Sequence, residues 1–211
     1  MIENKGEEKR IFDAISIYYP VNIDRYSQEF DVSKEHKTLL DKLKKASGDR
    51  RWEEFIALAR SNKYYDIMDC STFGFPIPCF KANIYLTTGN DRYEIVFYVS
   101  IILDYYAFRT ELLFNEPQVD INLSAENRKQ ILEAVKEQYL KHKSVFKPML
   151  NEFPDQISHL MLPLFQYQEA AFGYKLLPVS LANKIVPGVA TNSKTAGTAS
   201  VFDCVFTDFE L

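Results

Sequence analysis

The sequence predicts a single α+β domain that spans residues 1–211. Apolar residues recur at helical spacing in two stretches, 33–62 and 124–143, and alternate as in strands between them, over 82–114. No internal repeat or low-complexity linker interrupts the chain. We therefore predict a mostly antiparallel sheet, a meander plus a C-terminal hairpin, packed with an N-terminal helical hairpin and one long helix.

Residues 33–62 are predicted to form two helices joined by a tight turn. Ser33 is suited to cap the first helix, Gly48 to close it in the left-handed conformation, and Asp49 to cap the second. Each helix has one apolar stripe at helical spacing: Leu39, Leu40, Leu43 and Ala46 in the first, Trp52, Phe55, Ile56 and Ala59 in the second.

Residues 82–114 are predicted to form an antiparallel meander. A strand over 84–88 leads into the turn sequence Gly89-Asn90-Asp91-Arg92 and then into a long strand that ends near Asp104. One face of the long strand is wholly apolar, and it consists of Tyr93, Ile95, Phe97, Val99, Ile101 and Leu103. The opposite face is expected to be half covered at most, and it carries Glu94, Val96, Tyr98, Ser100, Ile102 and Asp104.

The C-terminal half is predicted to hold a long helix and a hairpin. Ser124 is suited to cap a helix that runs to about Lys143. The stripe of this helix that is expected to be buried consists of Ile131, Leu132, Val135, Tyr139 and Leu140. The next segment is expected to break into short helical pieces or loops at Pro148, Pro154 and Pro163. Residues 184–189 and 198–206 then resemble two strands joined by a polar loop over 191–197.

Charge and cysteine usage restrict the class of protein. With 25 Lys+Arg against 29 Asp+Glu, the net charge of −4 argues against nucleic acid as the main partner. The three cysteines form no C-x-x-C motif and cannot all pair, which fits a reducing compartment. The longest nearly apolar stretch, 95–103, is shorter than the ~18 residues that cross a membrane. We expect a cytoplasmic protein with no membrane partner.

No motif in the sequence is specific to a reaction. The stretch Gly188–Thr195 has the spacing of a phosphate-binding loop, but Ser193 stands in place of its second glycine and a strand pattern follows, so we interpret it as a hairpin loop. His36 and His142 are expected to be solvated, which leaves His159 as the sole candidate base. We predict no catalytic residue, cofactor or metal ligand, and consider an enzyme less favoured than a binding protein.

Aromatic residues next to mixed charge are the one positive indication of function. Thirteen tyrosines exceed what a core of this size needs, so several are expected at a surface. The predicted partner-binding residues are Tyr98, Tyr105, Tyr106, Phe108 and Arg109, with the C-terminal carboxylates Asp203, Asp208 and Glu210. The alternative is that Tyr105 and Tyr106 only cover a sheet edge. The apolar loop 73–80 is likewise interpreted either as a recognition loop or as a plug for the core.

The strand pair 93–114, and above all Val99-Ser100-Ile101-Ile102-Leu103-Asp104-Tyr105-Tyr106, resembles bacterial immunity proteins that neutralise polymorphic toxins. The resemblance covers a small part of the chain, and no functional residue is carried over from it. It implies a tight inhibitor of a cognate toxin, often a basic nuclease. Acidic residues would then steer the association and aromatic residues would anchor it.

Two other functions stay open at this point. The first is a small-ligand-binding or enzymatic domain, with an aromatic pocket between helix 124–143 and the sheet, near His159. The second is a subunit of a structural homo-oligomer, which would need a large self-complementary apolar patch.

Overall fold

The computed structural model describes residues 3–71, 77–89, 91–113, 124–145 and 149–206. Within these ranges the helices are α1 (Glu3–Ile15), α2 (Gln28–Val32), α3 (Lys34–Ala46), α4 (Arg50–Ser61), α5 (Ala125–Val145), α6 (Asp155–Tyr167), α7 (Val179–Ala182) and α8 (Val201–Val205). The strands are β1 (Tyr65–Asp69), β2 (Cys79–Thr88), β3 (Asp91–Ser100), β4 (Tyr105–Leu113), β5 (Met149–Leu150) and β6 (Lys175–Leu176). A π-helical turn, Gln168–Phe172, continues α6.

The predicted meander is confirmed as the centre of one sheet. Strands β1 to β5 lie in sequence order and pair antiparallel, while β6 pairs with β4 in parallel. Strand β3 ends at Ser100, whose side-chain oxygen accepts hydrogen bonds from the amides of Ile102 and Leu103 at 3.2 and 3.0 Å. These bonds turn the chain before β4 and explain the break predicted near Asp104. The α+β class with a mostly antiparallel sheet is therefore confirmed.

The N-terminal helical hairpin is also confirmed, with its predicted caps. The Ser33 side chain accepts from the amide of His36 at 3.1 Å, and the Asp49 side chain accepts from the amide of Arg51 at 2.9 Å. Gly48 has the expected positive φ of 81°. The apolar stripe of α4 packs on the sheet, where Trp52 stacks on Phe80 with ring centroids 5.1 Å apart.

Helices cover the sheet on both faces. On one face Phe55 of α4 and Phe165 of α6 contact Phe97, with ring centroids 5.1 and 5.9 Å apart. On the other face α8 covers Tyr98, whose ring meets that of Phe202 edge-on at 5.4 Å. The expectation that this second face is half covered at most is therefore wrong between Val96 and Ser100, because α8 comes from the distant end of the chain.

Helix α5 forms as predicted, but its apolar stripe is not buried. Ser124 accepts from the amide of Asn127 at 3.2 Å and caps the helix. Ile131 and Leu140 are exposed, and Leu132 and Val135 are only half-buried. The Tyr139 side chain lies outside the described residues. The expected burial of this stripe is therefore wrong for Ile131 and Leu140 and only partial for Leu132 and Val135.

Helix α6 runs for 13 residues through Pro163 instead of breaking into short pieces. A proline inside a helix leaves the carbonyl four residues earlier without its helical donor. Here that carbonyl belongs to His159, an exposed residue that water can reach. The Tyr65 hydroxyl donates to the neighbouring carbonyl of Leu160 and holds α6 on β1.

The predicted C-terminal hairpin is reduced to a single bridge between Ile185 and Ser200. Beyond it the chain forms α8, because Ser200 and Asp203 make a reciprocal capping box. The S-x-x-D spacing at these two positions is the sequence signal that favours a helix over a strand. Sequence patterns also did not predict α1, whose Ile11 and Ile15 enter the core.

Candidate functional site

The aromatic residues predicted to bind a partner lie in the core. Tyr98, Tyr105, Tyr106 and Phe108 are each no more than 4% exposed. The Tyr106 ring stacks on that of Phe97, with centroids 5.7 Å apart. They therefore form no exposed surface, because helices distant in sequence cover both faces of the sheet.

The hydroxyls of the two β4 tyrosines are bonded within the chain. Tyr105 donates to the Glu7 carboxylate and accepts from Arg10, with the Arg10 nitrogen 3.1 Å away. Tyr106 donates to Glu169 at 3.2 Å. Burial raises the pKa of both hydroxyls, so they stay protonated donors that tie α1 and the π-helical turn to β4.

The charged residues predicted for the same surface are dispersed. Arg109 is half-buried in β4, opposite Val96. Asp203 is half-buried and its carboxylate accepts from the Ser200 amide and hydroxyl at 2.8 and 2.7 Å. Its role is to cap α8. Asp208 and Glu210 lie outside the described residues.

His159 is exposed on α6 and lines neither the recess near His36 nor the open cavity near Tyr64 and Pro163. Cys79 is fully buried, and burial raises the pKa of its thiol, which disfavours the nucleophilic thiolate. Among the described residues, no three His, Cys, Asp or Glu side chains are grouped to hold a metal ion.

Segment 19–36 contacts the loop Gly188–Gly197. The amide of Asn22 donates to the Gly188 carbonyl at 2.7 Å, and Val21 and Val189 form an antiparallel bridge. Arg25 Nε donates to Asn192 Oδ1 at 2.9 Å. The loop that resembled a phosphate-binding motif is therefore clamped by the N-terminal segment.

A small polar recess lies between this loop, α3 and α8. Its polar walls are Arg25, His36, Thr191, Asn192 and Asp203, and Phe30 and Leu39 supply part of its apolar wall. The cavity volume of the recess is about 10 Å³, roughly the room that one water molecule needs. The end of the apolar loop, Ile77 and Pro78, also reaches it, while residues 72–76 lie outside the described residues.

Two buried polar side chains in the recess lack a partner within the described structure. His36 is 7% exposed and Thr191 is 4% exposed, yet neither His36 Nδ1 nor Thr191 Oγ1 makes a hydrogen bond there. The expectation that His36 is solvated is wrong, because its ring packs on Phe30 at 5.0 Å between centroids. Burial lowers the pKa of His36, Arg25 lowers it further, and Asp31 opposes them.

Stability is expected to fall as the pH drops below 6.5, the ordinary pKa of histidine. The folded state holds His36 neutral at pH values where the unfolded chain already binds a proton, so unfolding takes up a proton in that window. The slope is at most about 1.4 kcal/mol per pH unit. Urea unfolding at pH 7.5 and 5.5 measures it. His36→Leu should flatten the slope. An unchanged slope in His36→Leu would contradict the assignment.

Next to the recess, Tyr26 projects from the surface. It is 81% exposed, but its hydroxyl donates to the Asn192 carbonyl and its amide donates to Asp24 Oδ1 at 2.8 Å. We use the name Tyr26 surface for the residues Asp24, Tyr26, Glu29, Asp31 and Val32, all of them exposed. Sequence reasoning missed this surface because Tyr26 stands in no aromatic cluster of the sequence.

Comparison of the chain with protein-family models, with curated proteins and with solved structures finds no match. In the part of the chain that the structure describes, no helix combines the length and the apolar character needed to cross a membrane.

Proposed function

We propose that this chain is a non-enzymatic module that binds another protein and neutralises it, as the immunity proteins resembled by strands β3 and β4 do. The partner is a basic protein, a cognate toxin. The observation that carries the proposal is Tyr26, whose aromatic ring is exposed while its hydroxyl donates to the Asn192 carbonyl and its backbone amide donates to Asp24.

Tyrosine is a common anchor of protein interfaces because it offers a large contact area with few rotatable bonds. A side chain that is already held in place loses little conformational entropy when a partner binds. The hydrogen bond from the Tyr26 hydroxyl to Asn192 supplies this ordering in advance. The exposed Val32 adds apolar area on the same short segment.

Charge supports a basic partner. Four carboxylates, Asp24, Glu29, Asp31 and Glu35, lie between residues 24 and 35, against two cations, Arg25 and Lys34. Arg25 Nη1 lies 3.4 Å from Asp31, so one of the cations is already engaged. The whole chain is also acidic, with a net charge of −4. Such a surface accelerates the encounter with a basic protein.

Replacing Tyr26 by alanine is expected to weaken partner binding about 30-fold or more, the loss typical of an interface anchor. The exposed ring adds little to the core, so the thermal midpoint should stay near that of the wild type. Titration of the isolated partner measures the dissociation constant. Tyr64→Ala is the matched control, since Tyr64 is a 53% exposed tyrosine between α4 and β1. Equal losses in both variants would contradict the assignment.

The proposal is tested by capture from the native host at moderate salt, with the wild type and Tyr26→Ala as paired baits. A stoichiometric basic protein that only the wild type retains is then expressed in a bacterial host, with and without this chain. Growth arrest that this chain relieves supports neutralisation. A captured protein that is harmless to the host overturns the immunity role. A dimer of this chain that Tyr26→Ala abolishes would assign the surface to self-association.

A further inference from the structure

The recess beside the Tyr26 surface contains polar groups that partner binding does not explain. We propose that the recess is a binding site for a small carboxylate, with one carboxylate oxygen seated between His36 and Thr191 and the charge facing Arg25. This goes beyond the proposed function, because it gives the chain a low-molecular-weight ligand.

The first argument is that two buried groups need the same partner. A buried polar atom left without a hydrogen bond costs about 1–3 kcal/mol. His36 Nδ1 and Thr191 Oγ1 are both in this state and line the same recess. Neutral imidazole can carry its proton on Nδ1, and a hydroxyl can donate as well as accept. One acceptor oxygen placed between them therefore satisfies both groups.

The second argument is that Arg25 and Asn192 offer further hydrogen-bond donors to a ligand in the recess. Arg25 uses Nε for Asn192 and Nη1 for Asp31, and its guanidinium lies over the Phe30 ring at 4.5 Å. Within the described part of the chain, Nη2 makes no hydrogen bond. Because Asn192 accepts through its oxygen, its amide nitrogen is directed elsewhere and is available as a donor. Guanidinium is well matched to carboxylate oxygens.

The electrostatic balance at the inner end of the recess favours an anion. Arg25 lowers the pKa of His36 more than Asp31 raises it. Asp203, the carboxylate that lines the recess, accepts two hydrogen bonds from Ser200. A cation would have to lie beside the Arg25 guanidinium, which would repel it.

The size of the recess favours a small carboxylic acid over a nucleotide as its ligand. The inner space admits one water-sized group, so only the tip of a ligand enters it. The loop also lacks the free amides of a phosphate cradle at this point, because the Thr191 amide donates to the Lys194 carbonyl at 2.9 Å. A planar carboxylate can insert one oxygen and leave the other toward Arg25.

The test is a titration of the folded chain with sodium acetate, with chloride at the same ionic strength as the reference, followed by NMR of the His36 ring. We expect saturable shifts with acetate only. Thr191→Val, which replaces the hydroxyl by a methyl group, should weaken binding about fivefold or more. Thr38→Val, at a half-buried position of α3 that does not line the recess, and Thr191→Ser should bind as the wild type does.

The outcomes distinguish a free acid from a carboxylate side chain of another protein, and they also show when the proposal is wrong. Acetate binding assigns the recess to free small acids. Saturable binding of a blocked glutamate peptide without binding of acetate assigns it to a carboxylate side chain of another protein. A response that does not saturate, that chloride reproduces, or that Thr191→Val leaves intact overturns the site. None of these readouts uses the toxin partner, so the two proposals can fail separately.

Discussion

Replacing Tyr106 by alanine is expected to lower the free energy of unfolding by about 3–5 kcal/mol, the range measured when a buried aromatic side chain is removed. Tyr106 is 2% exposed and its ring packs against those of Phe97 and Phe165, which also contact each other. The neighbouring rings belong to β3 and α6 and cannot close the space that the substitution leaves. Urea unfolding, read by the midpoint and slope of the transition, measures the loss.

Tyr106→Phe is the matched control, since it keeps the ring and removes only the hydroxyl that donates to Glu169. Tyr106→Phe should lower the free energy of unfolding by only about 1 kcal/mol. This pair of variants also decides between the two interpretations of the β4 tyrosines. If Tyr106→Ala kept the stability of the wild type and abolished partner binding, Tyr106 would be a surface anchor and its placement in the core would be wrong.

Gly188→Ala is expected to destabilise the fold by about 2 kcal/mol or more, from two separate causes. Gly188 has a φ of +71°, which an alanine adopts only under strain. An added Cβ would also lie 2.6 Å from both Val21 Cγ1 and Asn22 Oδ1, so the side chains of Val21 and Asn22 would have to shift.

Gly48→Ala separates the two causes. Gly48 has a φ of +81°, but an added Cβ there meets nothing within 4 Å. Gly48→Ala should lower the free energy of unfolding by about 1 kcal/mol, the cost of the backbone conformation alone. Thermal unfolding of both variants gives the difference, which reports the contact between residue 188 and the N-terminal segment. Equal losses would show that this contact contributes nothing.

The two proposals concern one small region of the molecule. Tyr26 and Arg25 are neighbours in the chain, and both contact Asn192 of the same loop. Tyr26 presents its ring outward, whereas Arg25 faces the recess. The loop thus contacts both the proposed anchor and the proposed ligand site, so substitutions in it test both proposals.

Much of the fold could be predicted because its signals are local. Ser33, Gly48 and Asp49 act on amides or dihedral angles within three residues of themselves, so their roles can be read directly from the sequence. The alternation along β3 likewise reports its own backbone geometry. The C-terminal hairpin was predicted wrongly because alternation over a few residues competes with a helix that its capping box stabilises.

The candidate site could not be predicted, because it depends on contacts between distant positions. The cover over the second face of β3 comes from α8, and the sequence around Tyr98 contains no sign of it. His36 is buried in a recess that Thr191 and Asn192, far away in the sequence, also line. The sequence by itself determined the caps, the meander and the acidic charge, since each follows from neighbouring residues. Only the tertiary structure decided which tyrosines are buried and which polar groups meet, because long-range packing sets both.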